Sequence, residues 1–343
     1  MGEDFSGQMT SLFHQWLTPL VDLTMSPSQR VYWPFLILSL AFAALYSLKT
    51  LKDLTFKELL HVTFSRRGLF HKSSLLDFKL LLFNSTLKVF FFPLFMLSLF
   101  TVTTSVLHWS HRLFPGFNPL QASPLTKSVC ATLIAFLISD FLRFLFHFLM
   151  HEISFLRNIH RTHHTAQVLT PFTLFRVHPL ESVIGSTRNI LTQGLFVGIY
   201  IFLFGGKMNA WDILGVNAFG FLFNAFGANL RHMPIPLSFG VFEYLFISPR
   251  MHQVHHSTKG AHQNKNHGVA LSIWDLLFGT FYRPTKEDLK EMHFGISSHN
   301  HPYFEREATT LGAALIQPLN ISQLIQKIKG ESHEKAITRP FRA

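Results

Sequence analysis

Histidines are the residues of this sequence whose spacing suits metal chemistry, and eight of its 21 fall into three motifs. The motifs are one HxxxH and two HxxHH, formed by His147 and His151, by His160, His163 and His164, and by His252, His255 and His256. On a helix, residues four apart stack on one face about 5 to 6 Å apart, so HxxxH can hold one ion. In HxxHH the third imidazole extends that face sideways, so each HxxHH can offer ligands to two neighbouring ions. Eight imidazoles are too many for one ion, and the sequence therefore predicts a two-metal site.

Each motif also has a plainer interpretation. A histidine pair on a helix is more often a hydrogen-bonded or surface feature than a set of ligands. Three such motifs beside apolar segments favour coordination, because polar groups near an apolar core are costly unless they are paired or bind metal.

The type of metal is narrowed by what the sequence lacks. Imidazole alone does not choose between zinc, iron, copper and nickel. Structural zinc sites often use thiolate, and the single cysteine, Cys130, lies within an apolar run. The zinc-protease motif HExxH is absent, because Phe155 stands four residues after His151. A bis-histidine haem would leave the adjacent histidine pairs unexplained. A histidine-rich two-metal site remains, and its chemistry points to iron and dioxygen.

The elements that position these motifs belong to a membrane protein by composition. The chain has 343 residues, 48% of them hydrophobic and 14% charged, and a mean hydropathy of +0.24. Its net charge of +11 comes from basic residues beside apolar stretches, which favours a membrane surface over nucleic acid. The first apolar run starts near Val31 after an acidic N-terminus, so a cleaved secretory signal is not expected.

Five stretches are long or apolar enough to cross or enter a bilayer. They are Val31–Leu48, Leu80–Leu107, Ser128–Met150, Ser182–Phe204 and Ala210–Ala228. The second contains Lys88 and Pro93 and is either a kinked helix or two shorter pieces. The fourth and fifth are either two spans or a re-entrant pair that turns at Gly205 and Gly206.

Orientation follows from the basic residues of the loops. Seven Lys or Arg residues lie between Lys49 and Lys79, whereas the loop His108–Lys127 holds two. The first of these loops is therefore expected in the cytoplasm, which places all three histidine motifs on the cytoplasmic face. The more polar segment from Arg231 onward is expected to form a cap there. Within it, Leu311–Lys329 has the pattern of a membrane-surface helix that Pro318 interrupts.

The segments around the histidines carry a resemblance. They are RNIHRTHHT, RVHPLES at Arg176–Ser182, NLRH at Asn229–His232, ISPRMHQVHHS at Ile247–Ser257 and KNHGVALSIWDLLFGTFYRP at Lys265–Pro284. In order and spacing, the region from about Asp140 to Pro284 resembles the fatty acid hydroxylase/sterol desaturase superfamily, whose members are histidine-box membrane di-iron enzymes.

The resemblance implies an all-α integral membrane protein. Four to five transmembrane or re-entrant helices would lie under a cytoplasmic helical cap that holds two iron ions, which zinc can replace in a purified sample. Residues 1–139 would form membrane helices and a basic cytoplasmic loop, 140–284 the catalytic region, and 285–343 a cytoplasmic tail. A lipid from the bilayer would be hydroxylated or desaturated with dioxygen and two electrons. The sequence shows no dinucleotide, flavin or haem motif, so a separate reductase, ferredoxin or b-type cytochrome is expected to donate electrons.

Carried over by position, the eight motif histidines would bind the two ions, with His232 as a ninth ligand. Relatives commonly carry a further histidine where this sequence has Gly227 and Ala228. Either another group completes the coordination there, or the activity is altered or lost. The candidates to complete it are water, Asn224, Asn229 and His178.

Other polar residues near the motifs could bind metal or orient a ligand. They are Asp140, Glu181 and His178, with His262 and His267 as weaker candidates and Arg143 as a charge expected to pair. Trp274 and Asp275 are expected to be structural, as an aromatic anchor and a helix end before the turn at Gly279.

Two other classes of function stay open from the sequence. One is a non-catalytic metal-binding or transport protein of the membrane, which would place polar residues along the spans. The other is a zinc-dependent lipid hydrolase with Glu152 or Glu181 as the acid or base. Among lipid substrates, the sequence does not rank sterol, fatty acyl, sphingoid, alkylglycerol and carotenoid.

Overall fold

The structure, a computed structural model, is all-helical in the residues it describes. These residues are 14, 17–18, 20–46, 49, 55–90, 99–206, 229–233, 235–290, 292–296 and 310–319. The α-helices are Trp33–Tyr46 (α1), Phe56–Thr63 (α2), Lys72–Phe90 (α3), Leu99–Leu113 (α4), Pro124–Glu152 (α5), Ser154–His164 (α6), Pro179–Phe204 (α7), Pro249–His255 (α8), Ile273–Leu277 (α9), Lys286–Lys290 (α10) and Leu311–Ile316 (α11). Within these residues there is no strand beyond two isolated bridges, so the predicted helical class is confirmed.

Two helices, α5 and α7, are long and apolar enough to cross a bilayer. Ser123 caps α5 by accepting a hydrogen bond from the Thr126 amide, and Pro124 occupies the first helical turn. The third predicted stretch, Ser128–Met150, lies within α5, and the fourth, Ser182–Phe204, lies within α7.

The other predicted stretches have different outcomes. The first coincides with α1, whose 14 residues are fewer than a full span needs. The second falls on α3 and α4, and residues 91–98 between them lie outside the described part of the chain. The fifth, Ala210–Ala228, also lies outside it, together with the candidate Asn224 and the positions Gly227 and Ala228.

The start of α3 differs from the prediction. The helix begins at Lys72, in a polar stretch that the sequence assigns to the basic loop. Ser73 and Asp77 in this first part of α3 are buried, because Arg176 lies against them and satisfies their polar groups. This pairing makes a polar helix end part of the protein interior.

The helices α4 and α7 pack at close range through glycine. A Cβ atom on Gly194 would lie 2.4 Å from Cγ1 of Val102, and one on Gly198 would lie 2.7 Å from Val106. On another face, α7 shares an apolar core with α5, formed by Ala131, Ala135, Phe196, Tyr200 and Phe204. Helix α7 therefore packs against α4 on one face and against α5 on another.

The C-terminal segment packs against α3. Helix α11 ends at Ile316 and the 3₁₀ turn Gln317–Leu319 follows, which contains the Pro318 predicted to interrupt the helix. Ala314 of α11 is fully buried and packs with Leu76 and Leu80 of α3. In the stretch that the structure describes, this segment therefore packs against protein.

Candidate metal centre

The three histidine motifs lie on three helices that meet at one end of α5. HxxxH occupies the last turns of α5, where the ring centroids of His147 and His151 lie 5.1 Å apart. Ile153 ends α5 and begins α6, so the chain turns at once into the helix that carries the first HxxHH. The second HxxHH lies on α8, which starts with Pro249 and ends with His256 as its C-cap.

Nine imidazoles divide into two groups, in each of which the potential ligand atoms lie within 4.8 Å of one another. The five-histidine group is His147, His151, His160, His164 and His255, and the four-histidine group is His163, His232, His252 and His256. Each HxxHH serves both groups, because its first and last residues, four apart, face one way and its middle histidine faces the other. This division agrees with the two-ion interpretation of the motif spacing.

The two groups touch each other. The rings of His164 and His256 lie 4.8 Å apart, and those of His160 and His163 lie 5.4 Å apart. His232, the predicted ninth residue, joins the four-histidine group from the 3₁₀ turn Leu230–His232. The arrangement offers two adjoining metal positions.

Helix α1 positions His232. Ala43 and Ala44 of α1 pack with Leu230, Met233 and Ile235, the residues on either side of the histidine. Hence an N-terminal helix far away in the sequence supports one wall of the histidine cluster.

Several ring nitrogens of the five-histidine group are buried without a hydrogen-bond partner among the described residues. Nδ1 of His147 lies 2.8 Å from the His267 carbonyl oxygen, and Nδ1 of His255 lies 2.8 Å from that of Lys265. A carbonyl only accepts, so each Nδ1 carries the hydrogen and each Nε2 of the neutral ring carries a lone pair. The Nε2 atom of His255 has no hydrogen-bond partner among the described residues, and neither have those of His151 and His164.

The Nε2 atom of His147 faces another imidazole nitrogen, Nε2 of His160, at 3.1 Å. In the four-histidine group, Nε2 of His232 and Nε2 of His252 lie 3.0 Å apart in the same way. Buried polar atoms normally have a partner, and a bound metal ion would give these lone pairs one. The histidines present therefore fit a histidine-bound dimetal centre.

Burial keeps these imidazoles neutral. Burial, followed by repulsion from neighbouring imidazoles, lowers the pKa of His163 to about 3 and holds the pKa values of His160, His164 and His256 well below the ordinary value. Neutral imidazole is the form that binds metal, so at neutral pH no proton has to leave these rings before an ion binds.

Glu181 orients one of the ligand rings. Its Oε1 atom lies 2.8 Å from Nδ1 of His160, so this carboxyl oxygen accepts that hydrogen and turns the Nε2 lone pair toward the five-histidine group. A partner on the outer nitrogen fixes the ring and raises its basicity as a ligand.

We expect Glu181→Gln to lower metal affinity and activity by about 10- to 100-fold, because the amide is a weaker acceptor for the His160 hydrogen. Titration with a competing chelator measures the affinity. Glu152→Gln is the matched control, since Glu152 is exposed at the end of α5 and should leave both values unchanged. Unaltered metal affinity in Glu181→Gln would show that the carboxylate does not position His160.

The remaining candidate residues lie outside both groups. His178 caps α7 by accepting from the Leu180 amide, and its Nε2 lies 3.0 Å from the Leu315 carbonyl oxygen, which it can only donate to. Asn229 donates from Nδ2 to the Arg30 carbonyl oxygen at 2.7 Å. His262 lies 3.1 Å from Asp288 through Nε2.

Asp140 and Asp275 organise the loop after α8. Asp140 accepts hydrogen bonds from the Ala270 and Leu271 amides at 2.8 and 3.0 Å and from Nε1 of Trp274 at 3.0 Å. Asp275 accepts from the amides of residues 267 and 268, both at 2.8 Å. Asp275 and Trp274 thus have structural roles, although Asp275 lies in the first turn of α9 and not at the expected helix end. Asp275 fixes the backbone around the His267 carbonyl oxygen, to which His147 donates.

His267 is the nearest additional imidazole. Its ring centroid lies 4.7 Å from that of His151, and neither of its ring nitrogens has a hydrogen-bond partner in the described part of the chain. It contacts the five-histidine group through its ring and through its carbonyl oxygen.

Sequence reasoning missed Arg176, which supports the helix bearing the first HxxHH. Its guanidinium is fully buried, pairs with Asp77 at 3.0 Å, and donates to the carbonyl oxygens of Thr162 at 3.2 Å and Thr165 at 3.1 Å. The signal was present in the sequence, because an arginine between apolar residues must find a partner if it is buried.

Cavities reach the cluster and its surroundings. One of about 510 Å³ has His147, His160 and His163 in its wall, and so borders both groups. Another of about 570 Å³ is almost wholly apolar and is lined by α1, by residues 168–172 and by Met233, the neighbour of His232. Residues 174, 175 and 177 line the first cavity, so the segment 168–177 borders both.

Comparison with known proteins finds related sequences for the region that contains this site. Residues 132–280, which contain all nine histidines, match the family model described as fatty acid hydroxylase. The chain is 26% identical over 192 residues to ornithine lipid hydroxylase OlsE of Rhizobium tropici, covering 56% of this chain and 51% of that protein. It is 28% identical over 147 residues to alkylglycerol monooxygenase of Homo sapiens, covering 43% and 29%. The chain thus spans about half the length of the first relative and less of the second. No solved structure matches the chain.

Proposed function

Because this chain belongs to the fatty acid hydroxylase superfamily, we propose that it is a membrane-bound di-iron oxygenase that hydroxylates or desaturates a C–H bond of a lipid. The observation that carries the proposal is the convergence of nine imidazoles, seven of them buried, in two adjoining groups. Ornithine lipid hydroxylase and alkylglycerol monooxygenase support a lipid as the substrate.

In this proposal the five-histidine group holds one iron ion and the four-histidine group the other. Bound iron would supply the activation of dioxygen. For hydroxylation, a C–H bond, dioxygen, two electrons and two protons give an alcohol and water. Desaturation consumes a second C–H bond on the neighbouring carbon and gives an alkene and two waters. The electrons come from a separate donor, a reductase, ferredoxin or b-type cytochrome.

Groups of this protein orient the histidine rings and limit the exposure of the site to water. The carbonyl oxygens of His267 and Lys265 and the carboxylate of Glu181 fix the orientation of three rings. Most of the nine histidines are less than one-tenth exposed, which limits their contact with bulk water. Preorganised ligands and exclusion of water both favour oxidation of the lipid over loss of electrons to solvent.

The position of α5 suggests how a lipid would reach the histidines from the bilayer. The apolar length of α5 would lie in the membrane and end at the histidines, so the site would lie at the boundary between lipid and water. The basic loop before Lys79 supports the cytoplasmic side for that boundary. The division into residues 1–139, 140–284 and 285–343 remains part of the proposal, and the matched family region lies mostly in the middle part.

The zinc hydrolase and the transport protein are less well supported. Glu181 is engaged by His160, and Glu152 is exposed outside both groups, so neither carboxylate has the position of a free acid or base. The histidines lie at the end of α5, whereas a transport site would be expected near its middle.

Oxygen consumption by the purified full chain tests the proposed function. With an added reductant system and a total lipid extract, we expect dioxygen uptake that depends on iron and oxygen incorporation into a lipid, traced with ¹⁸O₂. The chain treated with chelator and reloaded with zinc is the control and should consume no dioxygen. If the iron-loaded protein also consumes none with any donor, the oxygenase proposal is wrong.

A further inference from the structure

The cavity of about 510 Å³ beside the histidines is strongly basic. Its wall holds four basic side chains, Arg30, Lys88, Arg143 and Arg188. They come from the turn before α1 and from α3, α5 and α7, so four separate parts of the chain converge on one space. This convergence is a property of the cavity, because no single helix face would produce it.

Few negative charges offset these cations. None of the four forms an ion pair with a carboxylate among the described residues. Arg188 donates from one terminal nitrogen to Oδ1 of Asn189 at 3.0 Å, and its Nε atom is buried without a partner. The one carboxylate of the wall, Glu181, is bound to His160.

Asp140 precedes Arg143 by one helical turn and does not line the cavity. Both of its oxygens accept hydrogen bonds from the loop after α8. Asp140 attracts Arg143 electrostatically, but the two side chains form no ion pair within hydrogen-bond distance in the described part of the chain.

The cations also repel one another. Burial, followed by repulsion from Arg143, Arg231 and Arg188, holds the pKa of the Arg30 guanidinium well below its ordinary value. Guanidinium groups stay protonated at neutral pH, so this repulsion persists in the folded protein. An anion in the cavity would relieve it, and arginine binds phosphate and carboxylate in a bidentate manner.

We propose that this cavity binds the anionic headgroup, phosphate or carboxylate, of the lipid that the enzyme oxidises. The inference rests on the proposed function, because the same wall contains His147, His160 and His163 of the two histidine groups. An anion held by the arginines places the carbons next to the headgroup closest to the histidines. The oxidised carbon is therefore near the headgroup, and the volume suits a headgroup rather than a whole two-chain lipid.

Binding of three probes with the same ten-carbon chain tests the proposal: monodecyl phosphate, decanoate and decanol. Affinities are measured by native mass spectrometry on the metal-loaded full chain in an uncharged maltoside detergent. We expect at least one of the two anionic probes to bind about tenfold or more tightly than decanol, the ratio expected for a charge-assisted hydrogen bond.

Variants locate the binding. Arg143→Gln and Arg188→Gln should each lower the affinity for the preferred anionic probe by about tenfold and leave the affinity for decanol unchanged. Arg188→Lys should lower the affinity for the anionic probe less than Arg188→Gln does. Lys88→Gln, at an exposed position of the cavity rim, should weaken it a fewfold without affecting folding. Arg112→Gln, on the exposed part of α4, is the control and should have no effect.

Three results would overturn the proposal. One is equal affinity for decanol and both anions, and another is wild-type anion affinity in the folded Arg143 and Arg188 variants. The third is displacement of the lipid probes by inorganic phosphate at the same concentration, which would show a site for free anions. Phosphate-probe preference identifies a phospholipid-type headgroup, and decanoate preference a carboxylate.

The binding assay is independent of turnover, so the two proposals fail separately. If the protein oxidises lipid with dioxygen but binds the anionic probes and decanol equally well, only the headgroup proposal is wrong. If the protein binds an anionic probe more tightly than decanol but consumes no dioxygen, only the oxygenase proposal is wrong.

Discussion

His255→Ala should abolish lipid oxidation and remove one metal ion from the protein. His255 is the only member of the five-histidine group that comes from α8, and its ring centroid lies 4.5 Å from that of His147 and 4.7 Å from that of His164. Its Nδ1 hydrogen is donated to the Lys265 carbonyl, which leaves Nε2 pointing into the group. We expect activity to fall at least about a thousandfold, equivalent to about 4 kcal/mol in the activation barrier.

Metal analysis per chain separates this effect from unfolding. We expect about one ion per chain in His255→Ala, where the wild type should hold two. His163→Ala should give the same count and the same loss of activity, because His163 belongs to the other group. His111→Ala, at an exposed histidine of α4, is the matched control and should keep both ions. Activity above a tenth of the wild-type value in either cluster variant would contradict the assignment of these histidines as ligands.

Arg176→Met should destabilise the protein by about 3 to 5 kcal/mol, the cost of leaving a buried charge without its partner. The charge left alone is Asp77, which is fully buried beside it. The same guanidinium donates to the Ser73 carbonyl oxygen at 2.8 Å. It also donates to the carbonyl oxygens of Thr162 and Thr165, which flank the adjacent histidines of the first HxxHH. The variant should therefore also loosen α6 and reduce metal affinity.

Thermal unfolding in detergent measures this loss, with Arg66→Met as an exposed arginine control on the basic loop. The double variant Arg176→Met with Asp77→Leu removes both charges and should recover much of the stability, since apolar residues of similar volume can replace a buried pair. A Tm equal to that of the wild type in Arg176→Met would show that the buried pair does not hold α3 to α6.

Local geometry at the site was predictable from the sequence. Four-residue spacing placed His147 and His151 on one face, and their ring centroids are 5.1 Å apart, within the expected range. Helical spacing also predicted that each HxxHH serves two neighbouring positions, but it set the third imidazole apart, whereas the structure sets the middle one apart. These features depend only on residues one turn apart, which the period of the helix fixes.

Contacts between distant segments could not be predicted in this way. Arg176 and Asp77 are 99 positions apart, and the Asn229 side chain donates to the Arg30 carbonyl across 199 positions. Spacing in the sequence carries no information on such pairs. For the same reason the first turns of α3 were assigned to a loop, because their polar residues are buried only through Arg176.

The basic cavity is a further example. Lys88 lies within the second predicted stretch and Arg188 within the fourth, and a charge at such a position is unfavourable in a membrane span. Together with Arg30 and Arg143 they line one space, which gives these interruptions a shared purpose. Only tertiary packing brings the four charges together.

The C-terminal segment supports α6 from residues that follow every one of the nine histidines in the chain. Oγ1 of Thr162 donates to the Ala314 carbonyl at 3.4 Å, and His178 reaches the next carbonyl, that of Leu315. The ribosome synthesises these residues after all nine histidines, so the surface on which α6 rests arrives last. Proteolysis just before Leu311 would therefore leave every histidine in the polypeptide while removing this support of α6.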